Sequence, residues 1–286
     1  MEVIFIILDG KKTADALMKK IANDVALIDG TITLALILVG HNPASKVYVR
    51  NKIKACDGVG IQVKKYFLDE KITQKELLQI IADCNEDTSV HGILVQLPLP
   101  SHLDEDAVVN SINPLKDVDG LTIINQGKLM NNLDAIVPAT PKGIITLLQK
   151  YFIDMAGKNA VVVGRSKLVG KPVAMLLLRK NATVTIAHSK TSNLRDVTKR
   201  ADILVVAVGK PHFITADMVK KDAVVVDVGI NKVEGKIVGD VDFGAVKEIV
   251  SYVTPVPKGV GPMTIASLLE NILVCYKKQL AMKETV

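Results

Sequence analysis

Short apolar runs alternate with stretches of helical periodicity along most of the chain, a pattern that predicts β-strands alternating with α-helices. In the first half, helical stretches begin near Ala44 and Thr73. The strand-like runs of this half are TITLALILVG, QVKKYFL and HGILVQLPLP. This alternation is typical of a parallel sheet with helices on both faces.

The second half repeats the alternation and ends in one long helical stretch. Its strand-like runs are NAVVVG, ATVTIAH, ADILVVAVG and AVVVDVG, whose β-branched residues predict strands buried on both sides. The opening VIFIIL predicts a first buried strand. The final GPMTIASLLENILVCYKKQLA predicts a long amphipathic helix with lysines in its last turns, as the helix dipole favours.

These elements predict an α/β protein of two domains. We expect an N-terminal α/β domain over residues 1–121 and a Rossmann-type domain with a doubly wound parallel sheet over residues 122–261. The boundary is set where turn formers replace periodicity, near SINPLKDVDGLTIINQGKLM, and TPKGIITLLQKY is the linking helix. The C-terminal helix, about residues 262–286, is expected to pack back on the first domain. We expect a ligand cleft between the domains.

Composition narrows the class of function. The net charge of +6 is spread along the chain and suits small anionic ligands, while the absence of Trp and the five Phe and five Tyr disfavour nucleic-acid binding. The apolar opening is too short to span a membrane, and no basic signal-peptide segment precedes it. The three cysteines are widely spaced, which predicts reduced thiols in a cytoplasmic protein, and no metal-ligand spacing is present.

The stretch NAVVVGRSKLVGKPVA has the layout of a nucleotide-binding strand, turn and helix. Gly164 allows a sharp turn at the end of the strand, and Gly170 allows close approach where the helix begins. The helix N-terminus is then expected to face a pyrophosphate. Ser166 replaces the second glycine of the usual fingerprint, and the last glycine comes one residue late.

The next strand predicts NADP as the cofactor. Sites for NAD usually offer an acid at the end of this strand, whereas ATVTIAHSK offers His188, Ser189 and Lys190, and Arg165 lies in the preceding turn. Cationic and hydroxyl donors fit a ribose 2′-phosphate better than a 2′-hydroxyl. The alternative is an ordinary turn with surface cations.

The first half contains a second group of polar residues. A helix opened by Pro43 places Tyr48 and Lys52 on one face, at i and i+4. Such a pair is able to stack on an aromatic substrate and to move protons. A half-exposed helix with a solvated lysine explains the same spacing.

Two further polar positions are candidates for the same site. Gln96 lies in an otherwise apolar strand and needs a hydrogen-bond partner, for which a ligand, Lys52 or a backbone carbonyl would serve. Asp119 precedes Gly120 in PLKDVDG and is either a turn residue or an acceptor for the amino and N–H edge of a heterocycle.

Taken together, these motifs resemble the bifunctional methylenetetrahydrofolate dehydrogenase/methenyltetrahydrofolate cyclohydrolase family (FolD family). The resemblance covers nearly the whole chain. The matching stretches, in the family's order, are YVRNK, GILVQLPLP, PLKDVDG, PATPKG, VVVGRSKLVGKPVA, VVDVGIN, GDVDF and TPVPKGVGPMT.

The resemblance implies a role for each matching residue. Lys52 corresponds to the catalytic lysine and Gln96 to the amide that holds it. Tyr48 corresponds to the ring that stacks on the folate, and Asp119 to the acid that binds the pterin. The other substrate-binding positions are Val95, Leu97 and, in a loop that closes beside substrate and nicotinamide, Pro257, Gly259, Gly261 and Pro262. The NADP-binding positions are Gly164, Arg165, Ser166, Gly170, Ser189 and Ile230.

The function implied is one-carbon metabolism that feeds purine biosynthesis. NADP+ oxidises 5,10-methylenetetrahydrofolate, and water converts the methenyl product to 10-formyltetrahydrofolate with Lys52 moving protons. The implied protein is a cytoplasmic homodimer that acts on tetrahydrofolate derivatives, with or without a polyglutamate tail, and we expect no formate-ligating domain. Two positions depart from the family pattern: Lys258 replaces a common glycine and Ala139 a common cysteine.

Two other functions are compatible with parts of the pattern. An NADP oxidoreductase acting on another small substrate, such as a shikimate-type dehydrogenase, would explain the second half but not YVRNK with PLKDVDG. A redox-sensing NADP-binding module without turnover would predict an interrupted catalytic half, whereas Tyr48, Lys52, Gln96 and Asp119 are all present.

Overall fold

The structure is a computed structural model that describes residues 5–283 and contains two compact units. The helices are α1 (Gly10–Ala26), α2 (Pro43–Val59), α3 (Gln74–Glu86), α4 (Glu105–Asn110), α5 (Ile123–Met130), α6 (Ala139–Lys150), α7 (Gly170–Arg179), α8 (Leu194–Thr198), α9 (Phe243–Val246) and α10 (Val260–Lys283). The strands are β1 (Ile6–Ile7), β2 (Thr33–Val39), β3 (Gln62–Leu68), β4 (Gly92–Val95), β5 (Asn159–Val163), β6 (Thr183–Ala187), β7 (Ile203–Val206), β8 (Val224–Asp227), β9 (Asn231–Val233), β10 (Lys236–Val238) and β11 (Tyr252–Val253).

The first unit, called here the three-stranded unit, comprises Ala16–Ala139 and the described residues from Ile265 onward. Its parallel sheet has the order β3-β2-β4, and β2 is buried along nearly its whole length. Residues 115–118 run beside β4, where Ile93 N donates to Lys116 O at 2.7 Å and Ile93 bridges to Asp117. The end of β4 and the PLKDVDG segment are therefore neighbours.

The second unit, called here the six-stranded unit, comprises the described residues up to Asp15 together with Thr140–Thr264. Its sheet has the order β1-β11-β8-β7-β5-β6, and every pairing is parallel. The chain passes from β5 to β6 on one side and then returns to β7 on the other. This reversal makes a switch point between β5 and β7, where open α/β sheets bind ligands beyond the carboxyl ends of their strands.

Two strand predictions are corrected by the structure. The run ATVTIAH is not buried on both sides, because β6 is an edge strand whose residues alternate between exposed and partly buried until Ala187. The opening run is only partly buried: Ile6 and Ile7 form the opposite edge and are 42% and 44% exposed, whereas Leu8 is buried. Val3 and Ile4 of that run lie outside the described residues.

The units divide the chain at other positions than residues 121 and 122. The PLKDVDG region and α5 belong to the three-stranded unit, so the division falls between Ala139 and Thr140. β1 belongs to the six-stranded unit because it pairs with β11. These assignments depend on strand pairing between distant segments, which local turn signals do not reveal.

The C-terminal helix α10 is less amphipathic than its sequence indicates. None of its residues from 261 to 276 is exposed. From Leu268 to Tyr276 it contributes to the core of the three-stranded unit, and Asn271 donates to Val118 O at 2.9 Å and Val137 O at 2.8 Å. Residues 284–286 of the predicted helix lie outside the described residues. Among residues 5–283, no helix is both long and apolar enough to cross a membrane.

Candidate active site

Helix α2 presents Tyr48 and Lys52 one turn apart, as the sequence predicts. The helix begins at Pro43, which suits the first helical position, and Asn42 Oδ1 accepts a hydrogen bond from Ser45 N at 3.1 Å. Tyr48 is 45% exposed, and Lys52 is partly buried. The exposed ring offers a face on which a flat ligand can stack.

Lys52 and Gln96 are joined across the three-stranded unit. Lys52 Nζ donates to Gln96 Oε1 at 3.1 Å, and Gln96 Nε2 donates to Leu97 O at 2.7 Å. Two of the partners proposed for the amide, Lys52 and a backbone carbonyl, are therefore both used. The second hydrogen bond fixes which end of the amide faces the lysine.

Gln96 directly follows the last residue of β4 and lies between two other predicted substrate-binding residues. Its backbone N donates to Ile37 O at 2.9 Å, which continues the pairing with β2 by one residue. Val95 is buried, whereas Gln96 and Leu97 are partly exposed. The polar amide thus emerges at the carboxyl end of the parallel strands, the edge at which α/β sheets bind ligands.

Asp119 and Asp117 differ sharply although they are two residues apart. Asp117 is buried and accepts hydrogen bonds from Leu121 N, Thr122 N, Thr122 Oγ1 and Asn125 Nδ2 at 2.8–3.1 Å. Within residues 5–283, the carboxylate of Asp119 accepts no hydrogen bond from the protein. Burial raises the pKa of Asp119 above its ordinary value, the positive charge of Lys52 opposes this rise, and Asp117 adds to it. Asp119 is therefore a carboxyl group available to a ligand.

The predicted nucleotide turn has the close backbone approach that its glycines require. Gly164 has φ +133°, and a Cβ there would lie 2.4 Å from Ala207 O. A Cβ on Gly170 would lie 2.3 Å from Gly164 O. Any larger residue at either position would push strand, turn and helix apart, so this compact cradle fits a dinucleotide pyrophosphate.

Ser166 changes the expected role of the helix N-terminus. Its Oγ accepts hydrogen bonds from Val169 N at 3.1 Å and from Gly170 N at 3.3 Å. The amides that were expected to face a pyrophosphate are thus partly engaged by the chain itself. The serine hydroxyl still has a proton to donate and is exposed, which leaves it available to a phosphate oxygen.

Arg165 and Ser189 are exposed at the ends of neighbouring strands. Arg165 follows β5 after Gly164, and Ser189 comes two residues after the end of β6. β5 and β6 pair directly along their whole length, so the two loops leave the sheet side by side. Exposed Lys190 adds a second cation, and the segment from His188 to Thr191 contains no acid. This donor set suits a ribose phosphate.

The loop from Pro257 to Pro262 is held from two sides within the six-stranded unit. Lys11 N donates to Lys258 O at 2.9 Å, and the backbone of Gly10 lies so near Gly259 O that a Cβ would be 1.8 Å away. Ile230, which is 49% exposed, lies beside Gly261: a Cβ on that glycine would be 3.8 Å from its Cδ1. Gly10 was missed in the sequence, where a lone glycine at a helix start gives no signal.

The two departures from the family pattern fall at specific backbone positions. Lys258 has φ +84°, in the left-handed region that glycine adopts most easily. Ala139 is buried at the first position of α6 and packs in the core of the three-stranded unit. Lys258 is therefore the departure with a conformational cost.

The predicted residues fall into two groups. Tyr48, Lys52, Gln96 and Asp119 lie in the three-stranded unit, and the predicted NADP-binding residues lie in the six-stranded unit. Two buried acids, Asp227 and Asp240, were not singled out, although both stand inside quoted motifs. Within the described residues, no group of three or more His, Cys, Asp or Glu side chains is arranged to hold a metal ion.

Comparison with known proteins identifies both halves of the chain. Residues 8–119 match the profile "Tetrahydrofolate dehydrogenase/cyclohydrolase, catalytic domain", and residues 138–280 match "Tetrahydrofolate dehydrogenase/cyclohydrolase, NAD(P)-binding domain". The bifunctional protein FolD of Oceanobacillus iheyensis is 53% identical over 275 residues, which cover 95% of this chain and 96% of that protein.

Solved structures agree with these matches. The FolD enzyme of Campylobacter jejuni has a TM-score of 0.94 at 48% identity, covering 96% of this chain and 99% of that one. The Trypanosoma brucei enzyme, solved with NADP cofactor and inhibitor, has a TM-score of 0.92 at 37% identity, covering 96% and 98%. Because both halves match one family, neither alternative function is supported. The chain belongs to the tetrahydrofolate dehydrogenase/cyclohydrolase family and is an NADP-dependent bifunctional enzyme.

Proposed function

We propose that Lys52 moves the protons of the cyclohydrolase step and that Gln96 holds its side-chain nitrogen for this purpose. The hydrogen bond of 3.1 Å between Lys52 Nζ and Gln96 Oε1 carries the proposal. The amide cannot turn its nitrogen towards the lysine without losing its hydrogen bond to Leu97 O. One N–H of Lys52 is thus fixed in direction, and the others remain for substrate and water.

Tyr48 and Asp119 bind the tetrahydrofolate substrate in this proposal. The exposed phenol ring stacks on the pterin or the adjoining ring, one helical turn from Lys52. The carboxylate of Asp119 accepts hydrogen bonds from the amino and ring N–H groups of the pterin. Val95 and Leu97 line the position around Gln96. The absence of a protein donor to Asp119 among the described residues supports this role.

Lys52 is not needed for the oxidation. Bound NADP+ supplies the hydride acceptor that converts 5,10-methylenetetrahydrofolate to the methenyl compound. In the hydrolytic step, water adds to the methenyl carbon and the bond from that carbon to N5 breaks, which gives 10-formyltetrahydrofolate. Lys52 Nζ takes protons from the added water, returns one to N5 and releases the other to solvent.

The test of this assignment is a pair of matched glutamine variants. Gln96→Ala should lower methenyl hydrolysis about ten- to hundredfold and NADP+ reduction by less than threefold, because only the lysine loses its support. Gln126→Ala is the control: this partly buried glutamine of the same unit donates to Leu121 O at 3.3 Å. Equal loss of both activities in Gln96→Ala would contradict the assignment.

Arg165 and Ser189 select NADP over NAD in this proposal, while Gly164, Ser166, Gly170 and Ile230 complete the cofactor site. The exposure of Arg165 and Ser189 at the ends of two directly paired strands supports a contact with the ribose phosphate. Arg165→Ala should raise the KM for NADP+ far more than that for NAD+. The lost contact between arginine and phosphate should cost about 1.5 to 3 kcal/mol of binding free energy for NADP+. Equal weakening of both cofactors would place the arginine on the part of the dinucleotide that they share.

We also propose that the enzyme is a cytoplasmic homodimer. The three buried cysteines form no disulfide bond, which supports a reducing compartment. Light scattering of the purified protein should give a mass twice the 30.8 kDa of one chain. A mass of one chain at micromolar concentration would contradict the dimer.

A further inference from the structure

Asp240 is a fully buried acid that ties two loops together at the carboxyl edge of the six-stranded sheet. Its Oδ2 accepts hydrogen bonds from Val208 N at 2.7 Å and Gly209 N at 2.9 Å, both beyond the end of β7. Its Oδ1 accepts from Lys210 N at 2.8 Å and from Asn231 Nδ2 at 2.9 Å, the latter beyond the end of β8. One carboxylate thus fixes the chain after two neighbouring strands.

Asp227, the last residue of β8, holds Asp240 in place. Its carboxylate accepts from Asp240 N at 2.9 Å, Val241 N at 2.9 Å and Gly229 N at 3.0 Å. Its own backbone N donates to Thr254 Oγ1 at 2.7 Å, just beyond the end of β11. The ends of β7, β8 and β11 are therefore joined through two acids.

The hairpin formed by β9 and β10 brings the two acids together. Its two-residue loop, Glu234 and Gly235, has φ of 49° and 80° and returns the chain directly to β8. The approach is close: a Cβ on Gly229 would lie 2.2 Å from the carboxyl of Asp240, and one on Gly239 would lie 1.8 Å from Asp227 Oδ2. The surrounding chain is shaped to the two carboxylates.

Keeping these acids buried has an energetic cost. Burial raises the pKa of Asp227 to about 6, three backbone amides oppose the rise, and the charge of Asp240 adds to it. Apolar residues of similar size would fill the same volume without desolvating a charge. The two acids thus do something that apolar packing would not, which is to fix the direction of backbone amides.

The loops they fix flank the switch point of the sheet. Ala207, directly before the first of these loops, contacts Gly164 of the nucleotide turn. A dinucleotide whose adenosine lies at the end of β6 and whose pyrophosphate lies at this turn continues past the ends of β7 and β8. The loops at residues 208–210 and 229–231, with Ile230, lie along that path.

We propose that Asp240, supported by Asp227, is a positioning residue for the nicotinamide half of NADP. It acts by holding the backbone after β7 and β8, and it touches neither cofactor nor substrate. The proposal rests on the proposed cofactor site, since the path of the dinucleotide follows from the positions of the turn at Gly164 and of Ser189.

The test compares two aspartates of the same sheet, one at the carboxyl ends of its strands and one at their amino ends. Asp240→Asn replaces an acceptor by a donor that faces backbone N–H groups, and it should raise both the Kd and the KM for NADP+ at least tenfold. Methenyl hydrolysis, assayed without cofactor, should stay within twofold of wild type. Asp202→Asn is the control, because Asp202 accepts from Asn159 N at 2.8 Å and pairs with Lys220 at the amino edge. It should lower the melting temperature without changing the Kd for NADP+.

Two further variants keep the test decisive if Asp240→Asn folds poorly. Asn231→Ala removes a single donor and should raise the KM for NADP+ about threefold. The double variant Asn231→Asp with Asp240→Asn restores that hydrogen bond with donor and acceptor exchanged. It should therefore recover part of the affinity for NADP+ that Asp240→Asn loses. A lower melting temperature with unchanged cofactor binding in these variants would overturn the inference. Failure of the wild-type protein to bind NADP+ would overturn the proposed cofactor site and the inference together.

Discussion

Two lysine–aspartate pairs of the three-stranded unit, Lys52 with Asp119 and Lys116 with Asp117, contain the same side chains but differ in how many hydrogen bonds these side chains make with the protein. Lys116 is buried, and its Nζ donates to the carbonyl oxygens of Cys84, Asn85 and Asp87 at 2.7–3.0 Å, which stabilises the end of α3. Lys52 has one acceptor among the described residues, the amide of Gln96.

The acids show the same difference. Asp117 is saturated by donors of its own chain, and Asp119 has none among residues 5–283. Saturated charges hold a fold together, whereas partly satisfied ones beside an exposed ring are available to a ligand. In this unit, the number of hydrogen bonds separates structural groups from the proposed catalytic and binding groups more clearly than residue type does.

The largest effect that tests this comparison is on stability. Lys116→Met should lower the free energy of unfolding by about 2 to 4 kcal/mol, because buried carbonyl groups lose a charged donor. Lys52→Met should change it by less than about 1 kcal/mol. Urea unfolding of both variants measures the difference. Equal destabilisation would show that Lys52 is as structural as Lys116.

The two aspartates provide the next test. Asp117→Asn should lower the free energy of unfolding by about 1 to 3 kcal/mol, since its new NH₂ group must face a backbone N–H or hydroxyl that donated to the carboxylate. Asp119→Asn should leave stability unchanged or slightly higher and raise the KM for tetrahydrofolate substrates. Chemical unfolding and steady-state kinetics on the same preparations separate the two effects. A stability loss in Asp119→Asn matching that of Asp117→Asn would erase the distinction.

The smallest effect is the pH dependence of the Asp119 substitution. Because burial raises the pKa of Asp119 in the folded state, the native protein binds this proton more tightly than the unfolded chain does. The ionised group therefore destabilises the fold progressively as pH rises from the ordinary aspartate pKa of about 3.9 through the raised one. Any stability advantage of Asp119→Asn should be present at neutral pH and vanish below about pH 4. A stability advantage of Asp119→Asn that grew on acidification would contradict a raised pKa of Asp119.

Much of the fold follows from sequence because its signals are local. The runs that became β2, β4, β5, β7 and β8 are short and apolar, and Thr73 caps α3 with Glu76 in a reciprocal pair of hydrogen bonds. Which strands lie at an edge is not local information. Ile6 with Ile7 and the run from Thr183 look like buried strands until the sheet order is known.

The candidate site divides in the same way. Tyr48 and Lys52 are predictable because helical spacing alone puts them on one face. Asp119 is a candidate from its place before Gly120, but the choice between a turn residue and a ligand acceptor rests on family resemblance, since Asp117 two residues earlier has the same chemistry in sequence. Asp227 and Asp240 could not be predicted, because a hairpin brings them together. Nothing in their spacing indicates that one carboxylate accepts hydrogen bonds from two loops.

In the proposed mechanism, one lysine, Lys52, carries the proton transfers of the hydrolytic half of this bifunctional enzyme. The most direct measurement follows methenyltetrahydrofolate loss and NADP+ reduction in parallel for wild type and Lys52→Met. We expect a fall of about 10²- to 10⁴-fold in methenyl hydrolysis, typical of a lost proton-transfer group, with most of the oxidation of 5,10-methylenetetrahydrofolate retained. Equal loss of both reactions, or hydrolysis retained near the wild-type rate, would contradict it.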